Sequence, residues 1–453
     1  MIRRGRGGLA TRGRRRAWAL TTGLLTVQGV LAAVVLATGE TGTAIDPAPA
    51  PIVPVAAIVA AGDDAPMPTP EGVAAALGPA LEDPALGDLT GEVTDTVTGE
   101  VLWSRDADRP LTPASVAKTL TAAAAIATLA PDHRWHTDVV LGEDGRLVLV
   151  GGGDPTLTDR PTGTDGFFSG AGHLDALADQ IREAGVPVTG LDVDVTRYTG
   201  PTMADGWFDD DIPAGNIAPI EPVMLDSGRI DPEDPDSPRT PDPALDAGRA
   251  LAAHLDLDTE DVGITAAPAG AEPVATVSSA PMTTVLREMM TASDNVLAEA
   301  VGREVALATG HTPDFAGAVD AVTRTLSERG VDTAGATMFD ASGLSVDDLL
   351  PARLIDRVLA LAATDPEMSA LFDTLPIAAG TGTMAVRLTD GPGAGWVRAK
   401  TGTLSGVSSL AGVVVDLDGR ALTFTLMSTG TSPADARPAL DGLALTLREC
   451  GCR

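Results

Sequence analysis

The chain contains very little lysine. Only two of its 31 basic residues are lysines, Lys118 and Lys400, and all the others are arginines. An arginine guanidinium does not lose its proton in a protein, whereas a buried lysine ammonium can. The two lysines therefore mark positions where a guanidinium cannot do the same chemistry.

Basic charge is scarce outside the N-terminus. The formal net charge is −32, and seven of the 31 basic side chains lie in the first 16 residues, which contain no acid. The rest of the chain has 24 basic residues against 63 acidic ones. Such an acidic body repels nucleic acid, so no nucleic-acid partner is expected, and an acidic solvated surface is the simplest interpretation.

Cysteine and histidine are also rare. Cys450 and Cys452 are separated by one residue near the C-terminus, and they can pair with each other, bridge to another chain or remain free. A zinc site takes about four ligands, but the five histidines are mostly scattered. His133 and His136 are close in sequence without matching a zinc signature, so a surface or packing role is expected. We therefore predict no metal and no cofactor.

Two widespread functional motifs are missing. No G-x-S-x-G occurs in the sequence, which disfavours a Ser-His-Asp hydrolase with its serine on that kind of turn. The glycine run at 151–153 is not followed by G-K-[S/T], which disfavours a phosphate-binding loop. If the chain activates a serine, lysine is the natural base.

Both lysines lie in short motifs that serine acyl-transfer enzymes use. Three such motifs follow one another: S-x-x-K at Ser115–Lys118, S-D-N at Ser293–Asn295 and K-T-G-T at Lys400–Thr403. Any one of them can occur by chance. All three in this order, using both lysines of the chain, indicate a serine enzyme that forms an acyl intermediate.

The local sequence places each motif on an element. The residues after Ser115 are apolar nearly all round, which predicts a buried helix that starts at this serine; a simple N-cap is its alternative role. Because residues three apart share a helical face, Lys118 would lie beside the Ser115 hydroxyl. We expect Ser293–Asn295 in a loop between two helices and Lys400–Thr403 on a strand.

A serine hydroxyl is a weak nucleophile until a base removes its proton. Lys118 is the candidate base for Ser115, provided that burial and another cation lower its pKa. Lys400 can be that second cation, and it can also attract a substrate carboxylate.

The remaining motif residues suit the other steps of acyl transfer. Ser293 can pass a proton to a leaving amine, and Asn295 can hydrogen-bond a substrate amide. The backbone N–H groups of Ser115 and Thr403 are the candidate donors to an oxyanion.

The N-terminal region predicts a membrane-directed segment. Residues 17–38 are uncharged and mostly apolar, long enough to span a bilayer, and they follow the seven arginines. This pattern predicts a cytoplasmic N-terminus and a body outside the cytoplasm. The length favours a retained transmembrane helix over a cleaved signal peptide. Residues 39–70, rich in proline and alanine, then read as an extended linker.

The spacing of the motifs predicts an insertion. Ser115 and Ser293 are 178 positions apart, much more than one helical layer needs. We expect a catalytic domain formed by residues 71–137 and 281–453, with one or more inserted domains at 138–280. Within these we predict a hairpin at 138–154, a strand at 191–195, strands at 396–401, 408–415 and 422–428, and helices at 174–184, 247–255, 282–291, 296–308 and 434–448.

The three motifs resemble those of penicillin-binding proteins and serine β-lactamases. More narrowly, the chain resembles the class C low-molecular-mass penicillin-binding proteins, the D-alanyl-D-alanine carboxypeptidase/endopeptidase family. Further matching segments are residues 149–157, 340–345, 375–384 and 450–452, and the resemblance covers about residues 89–453. One departure is Ala341, where a D-G-S-G segment is commoner.

The resemblance implies an α/β (α+β) transpeptidase-like fold: a five-stranded antiparallel sheet flanked by helices, with inserted domains between the first and second motifs. It also implies the role of each motif residue, with Ser115 as acylated nucleophile, Lys118 as base, Ser293 as proton relay, Asn295 as substrate ligand, and Lys400, Thr401, Gly402 and Thr403 at the terminal carboxylate or the oxyanion hole.

The expected function is that of a serine-type D-Ala-D-Ala carboxypeptidase or endopeptidase. Its partners would be peptidoglycan stem peptides and β-lactams, which would act as acylating inhibitors. It would work outside the cytoplasm, anchored to the cell membrane or secreted to the wall. A β-lactamase of the same fold is the nearest alternative, although the wide motif spacing disfavours it. A non-catalytic wall-binding protein is disfavoured because the four residues Ser115, Lys118, Ser293 and Lys400 are all present.

Overall fold

The computed structural model describes residues 65–164 and 166–451. The strands in this part of the chain are β1 (Asp88–Asp95), β2 (Val101–Arg105), β3 (Pro110–Leu111), β4 (His136–Leu141), β5 (Arg146–Val150), β6 (Gly190–Asp194), β7 (Gly263–Ile264), β8 (Pro273–Ser278), β9 (Leu350–Pro351), β10 (Val397–Leu404), β11 (Val407–Val415) and β12 (Ala421–Thr429). The α-helices are α1 (Pro70–Leu77), α2 (Lys118–Thr128), α3 (Leu174–Ala184), α4 (Pro243–His254), α5 (Met282–Ala292), α6 (Asn295–Ala308), α7 (Phe315–Glu328), α8 (Ala352–Thr364), α9 (Ala370–Thr374) and α10 (Pro433–Glu449).

The central sheet has five antiparallel strands in the order β10-β11-β12-β1-β2, as predicted. Alternate residues of β12 point to opposite faces. Leu422, Phe424 and Leu426 pack with α1 and α10 on one face. Met427 belongs to the larger core that α2, α5, α6, α7 and α8 form on the other face. The sheet is therefore covered by helices on both sides, and β10 lies at one edge.

Helix α2 is the central buried helix of this core. Its residues from Lys118 to Ala125 are all buried. Four consecutive alanines let neighbouring elements approach closely, since an alanine side chain is a single methyl group. The helix contacts α6, α7 and α8. The S-x-x-K motif thus starts on a rigid, enclosed element.

The inserted region has a sheet of its own, in the order β7-β6-β5-β4-β8. The predicted hairpin is β4–β5, which is antiparallel, while β6 joins β5 in parallel and β8 pairs with β4. Helices α3 and α4 pack on this sheet around a separate apolar core. The sheet extends from His136 to Ser278, and the domain limits at 138 and 280 stay a prediction.

Three earlier predictions fall on residues outside the described part of the chain. They concern the apolar segment at 17–38, the linker up to residue 64 and the pairing of Cys452. Among residues 65–164 and 166–451, no helix is long and apolar enough to cross a membrane.

Candidate active site

Ser115 lies on a short 3₁₀ turn, Ala114–Ala117, that leads directly into α2. Strand β10 passes very close to this turn. A methyl group on Gly402 would come within 2.8 Å of the Pro113 carbonyl oxygen and 3.2 Å of the Ser115 nitrogen. Gly402 therefore allows the K-T-G strand to lie against the backbone of Ser115.

Lys118 is the first residue of α2 and is fully buried. Its Nζ lies 2.9 Å from Ser115 Oγ, 2.5 Å from Asn295 Oδ1 and 2.8 Å from the Ser342 carbonyl oxygen. Burial lowers the pKa of Lys118 to about 8, against the opposing pull of nearby carboxylates, Asp340 foremost. The predicted contact between lysine and serine is present, and the lowered pKa makes the neutral amine more accessible than in an exposed lysine.

Ser293 and Lys400 form the second serine–lysine pair of the site. The Lys400 Nζ donates to Ser293 Oγ at 2.8 Å and to the Thr401 carbonyl oxygen at 2.8 Å. Burial, together with the positive charge of Lys118, lowers the pKa of Lys400 well below its ordinary value. Ser293 itself has a φ of 58° at the C-terminal end of α5, a left-handed conformation uncommon for serine.

Asn295 connects the first and second motifs. Its Nδ2 donates to the Asn216 carbonyl oxygen at 2.9 Å, so its Oδ1 is the atom that faces Lys118. Asn216 comes from the inserted region, which therefore contributes directly to the site.

The middle residue of the S-D-N motif is held by two arginines that the sequence analysis missed. Asp294 accepts from Arg229 at 2.9 Å and Arg239 at 3.4 Å, and all three side chains are almost completely buried. Burial alone would raise the pKa of Asp294, but the two guanidinium groups outweigh it and hold the pKa at about 2. Nothing in the local sequence around 229 or 239 indicates this role.

A third supporting residue is Asp340, the first residue of the D-A-S-G segment. Its carboxylate accepts from the backbone N–H groups of Ser342, Gly343 and Ser345, and from the Trp207 indole at 2.7 Å. The resulting turn aims the Ser342 carbonyl at Lys118. The segment is recognisable in the sequence, but no local pattern indicates that it supports Lys118.

The outer edge of β10 completes the site. Ala399 donates its N–H to the Pro376 carbonyl oxygen, away from β11. Because backbone groups alternate along a strand, the N–H groups of Thr401 and Thr403 point to the same open edge. The hydroxyl of Thr403 accepts from Arg437 at 3.0 Å, and the Thr401 hydroxyl donates to Thr383 at 2.9 Å.

All three motifs border one cavity of about 780 Å³. Its lining includes Ser115, Ser293, Asn295, Thr401 and Thr403 from the motifs, Asn216 and Asp236 from the inserted region, and Arg387, Arg437 and Asp441 from the C-terminal part. The buried lysines lie behind the two serines. The arrangement can activate Ser115, protonate a leaving group through Ser293 and hold a carboxylate near β10.

The sequence profile of the D-Ala-D-Ala carboxypeptidase 3 (S13) family matches residues 73–237 and 234–450. The chain is 49% identical over 418 residues to carboxypeptidase Rv3627c of Mycobacterium tuberculosis, covering 90% of each chain. It is 48% identical over 441 residues to carboxypeptidase DacB of Mycolicibacterium smegmatis, covering 95% of this chain and 96% of that one.

Among solved structures, the fold is similar to penicillin binding protein 4 (dacB) from Haemophilus influenzae. The TM-score is 0.67 at 21% sequence identity, covering 83% of this chain and 98% of that one. A second structure of that protein, complexed with a β-lactam, gives a TM-score of 0.59 at 20% identity, with 82% and 97% covered. At this identity the likeness concerns the fold.

Proposed function

The chain belongs to the D-Ala-D-Ala carboxypeptidase 3 (S13) family, and from this premise we propose that it hydrolyses D-alanyl-D-alanine ends or cross-links of peptidoglycan stem peptides through an acyl-enzyme on Ser115. The observation that carries the proposal is the 2.9 Å contact between Lys118 Nζ and Ser115 Oγ. The contact lies beside the pair formed by Ser293 and Lys400.

The contacts of Lys118 explain how it serves as base. A neutral lysine amine has two N–H groups and one lone pair. Two of its three neighbours, Asn295 Oδ1 and the Ser342 carbonyl, are oxygens that only accept hydrogen bonds. They take the two N–H groups, which leaves the lone pair facing Ser115 Oγ, the one neighbour with a proton to give. The neutral amine is thus oriented for proton abstraction.

Acylation follows from this arrangement. Ser115 Oγ attacks the scissile carbonyl carbon while its proton moves to Lys118, and the oxyanion is stabilised by the N–H groups of Ser115 and Thr403. Ser293 donates its hydroxyl proton to the leaving amine, and the ammonium of Lys400, when protonated, can replace that proton. Water then takes the place of the amine and releases the peptide from Ser115 by the reverse proton transfers.

We assign β-lactams to this site as acylating inhibitors. A β-lactam offers Ser115 a strained amide carbonyl, and its ring nitrogen remains tethered after ring opening, so the leaving group does not diffuse away. The solved complex of Haemophilus influenzae penicillin binding protein 4 with a β-lactam is consistent with this assignment for the shared fold.

We also propose an extracytoplasmic location. Action on peptidoglycan requires it, and the arginine-rich start followed by the apolar segment 17–38 supports it. In this proposal the segment anchors the protein to the membrane, with cleavage and secretion as the alternative. Residues 71–137 and 281–453 act as the catalytic domain and 138–280 as the insertion that supplies Asn216.

The test is release of free D-alanine from a synthetic stem peptide that ends in D-Ala-D-Ala, with a cross-linked muropeptide assayed in parallel. Ser115→Ala serves as the control. The proposal expects D-alanine release by the wild-type protein and none above background by the variant. Equal turnover by Ser115→Ala, or rapid penicillin turnover without peptide hydrolysis, would contradict it.

A further inference from the structure

Two cations near the cavity, Lys118 and Lys400, are hydrogen-bonded to the two serines of the site. Lys118 binds Ser115, Asn295 and the Ser342 carbonyl, and Lys400 binds Ser293 and the Thr401 carbonyl. Both are fully buried, and the charge of Lys118 disfavours a charge on Lys400. The N–H groups of both lysines are therefore occupied by motif residues and are not free to bind an anionic substrate group.

A third cation, Arg387, is neutralised. Its Nε lies 3.1 Å from both carboxylate oxygens of Asp441, and one of its terminal nitrogens lies 2.7 Å from Oδ1. Both side chains are mostly buried, with 12% and 18% exposed. This ion pair forms part of the cavity wall and has little net charge to offer a ligand.

Arg437, on α10, differs from these three cations in its partners. Within the described residues it has no carboxylate partner within ion-pair distance, although it lies one helical turn from Asp441. Its guanidinium instead donates to the hydroxyl of Thr403 at 3.0 Å, and both residues border the same cavity as Ser115. The remaining charged group at the cavity lining is Asp236, which would repel an anion.

We propose that Arg437, together with Thr403, is a specificity-determining residue that binds the free α-carboxylate of the leaving amino acid. The inference rests on the proposed function and names the substrate feature that the site selects. Peptides whose leaving group carries a free carboxylate are substrates, and peptides amidated at that carboxyl are poor ones.

The position of Arg437 fits the covalent geometry of such a peptide. When the scissile carbonyl oxygen points at the N–H of Thr403, the leaving-group carboxylate is three bonds from the carbonyl carbon. Three bonds keep this carboxylate near Thr403, and Arg437 donates to the hydroxyl of that residue. A guanidinium can form two parallel hydrogen bonds with a carboxylate.

The same carboxylate recognition applies to cross-links. An endopeptidase substrate has this recognition group only when the carbon bearing the acylated amine also bears an unmodified carboxylate. Amidation of that carboxyl would protect the cross-link from this enzyme. The same site therefore serves carboxypeptidase and endopeptidase reactions, provided that the leaving group is an anionic amino acid.

The test compares two peptides on four proteins. The peptides end in D-Ala-D-Ala with a free carboxylate or a carboxamide, and the proteins are wild type, Arg437→Gln, Arg437→Lys and Arg324→Gln. The last removes an exposed arginine of α7 that does not line the cavity. Release of D-alanine or its amide is measured as kcat and KM.

We expect the wild type to prefer the acid. Arg437→Gln lowers kcat/KM for the acid about 10- to 100-fold, because a charge-assisted hydrogen bond is lost. The same substitution leaves kcat/KM for the amide within about threefold of the wild-type value. Arg437→Lys restores part of the preference, and Arg324→Gln keeps all of it. Retained amide hydrolysis shows that the variant is folded.

Three outcomes would overturn the inference. The first is equal wild-type activity on the acid and the amide. The second is an equal loss of kcat/KM on both peptides in Arg437→Gln, and the third is no loss on either peptide. In all three the wild type still hydrolyses the acid, so the proposed function stands. If the wild type hydrolysed neither peptide, the proposed function would fail and this inference with it.

Discussion

Asp294 and Arg229 form a buried ion pair with an N–O distance of 2.9 Å, and it joins the S-D-N motif to the inserted region. Asp294 also accepts the N–H of Leu297 at the start of α6, so one carboxylate caps the helix and binds the insertion. Because Ser293 and Asn295 flank this residue, the insertion helps to position these two candidate site residues. The inserted region is thus part of the candidate site.

Breaking this pair should destabilise the protein strongly. Arg229→Met leaves the longer Arg239 contact as the ion pair of Asp294, and removing one partner of a buried pair costs about 3–5 kcal/mol. Urea unfolding should show that loss in the free energy of unfolding. Arg249→Met, which removes a half-exposed pair on α4, is the control and should cost less than about 1 kcal/mol. Equal losses in both variants would contradict the assignment.

The same pair predicts a pH dependence of stability. The pKa of Asp294 is about 2 in the folded protein, below its ordinary value of 3.8. A lowered carboxyl pKa stabilises the folded state above the unfolded pKa, and the contribution disappears as the pH falls through the folded pKa. The stability difference between wild type and Asp294→Asn should therefore be largest above pH 4 and shrink towards pH 2. A difference that is constant over this range would count against the pair.

Acylation should require the neutral form of Lys118. Since its pKa is lowered to about 8, the second-order rate constant for acylation by benzylpenicillin should rise with pH and level off above that value. Lys118→Arg keeps the charge but cannot accept a proton, and should lower the rate about 100- to 10,000-fold. A pH-independent rate in the wild type would refute this role.

Ala341, the departure from the commoner D-G-S-G segment, fits against a glycine. A methyl group on Gly302 of α6 would come within 2.7 Å of the Ala341 Cβ. Gly302→Ala should therefore lower stability by about 1–3 kcal/mol despite the better helix propensity of alanine. Adding Ala341→Gly should relieve the clash and restore most of the loss. A double variant no more stable than the single one would show that the two positions are independent.

Much of the architecture could be predicted from sequence because its signals are local. Helix α3 begins and ends where its amphipathic pattern predicts, and the hairpin β4–β5 and strands β10 to β12 follow from apolar runs separated by turns. Helix α4 begins at Pro243, four residues before the predicted start at 247, because a proline can occupy the first turn. The motif residues could be found because each motif is a short run of residues on a single helix, loop or strand.

The supporting residues could not be predicted, because their contacts are distant in sequence. Arg229 is 65 positions from Asp294, and Trp207 is 133 from Asp340. Arg437 is separated from Thr403 by 34 positions and two strands. Such pairs depend on how the insertion and α10 pack against the sheet, which no local pattern records.

The most direct test of the central claim is intact-mass spectrometry of the purified protein mixed with benzylpenicillin, followed by peptide mapping. The account predicts one covalent adduct, located on Ser115, that forms in the wild type and not in Ser115→Ala. An adduct on another residue, or an adduct of equal yield in Ser115→Ala, would contradict the assignment of Ser115 as the nucleophile.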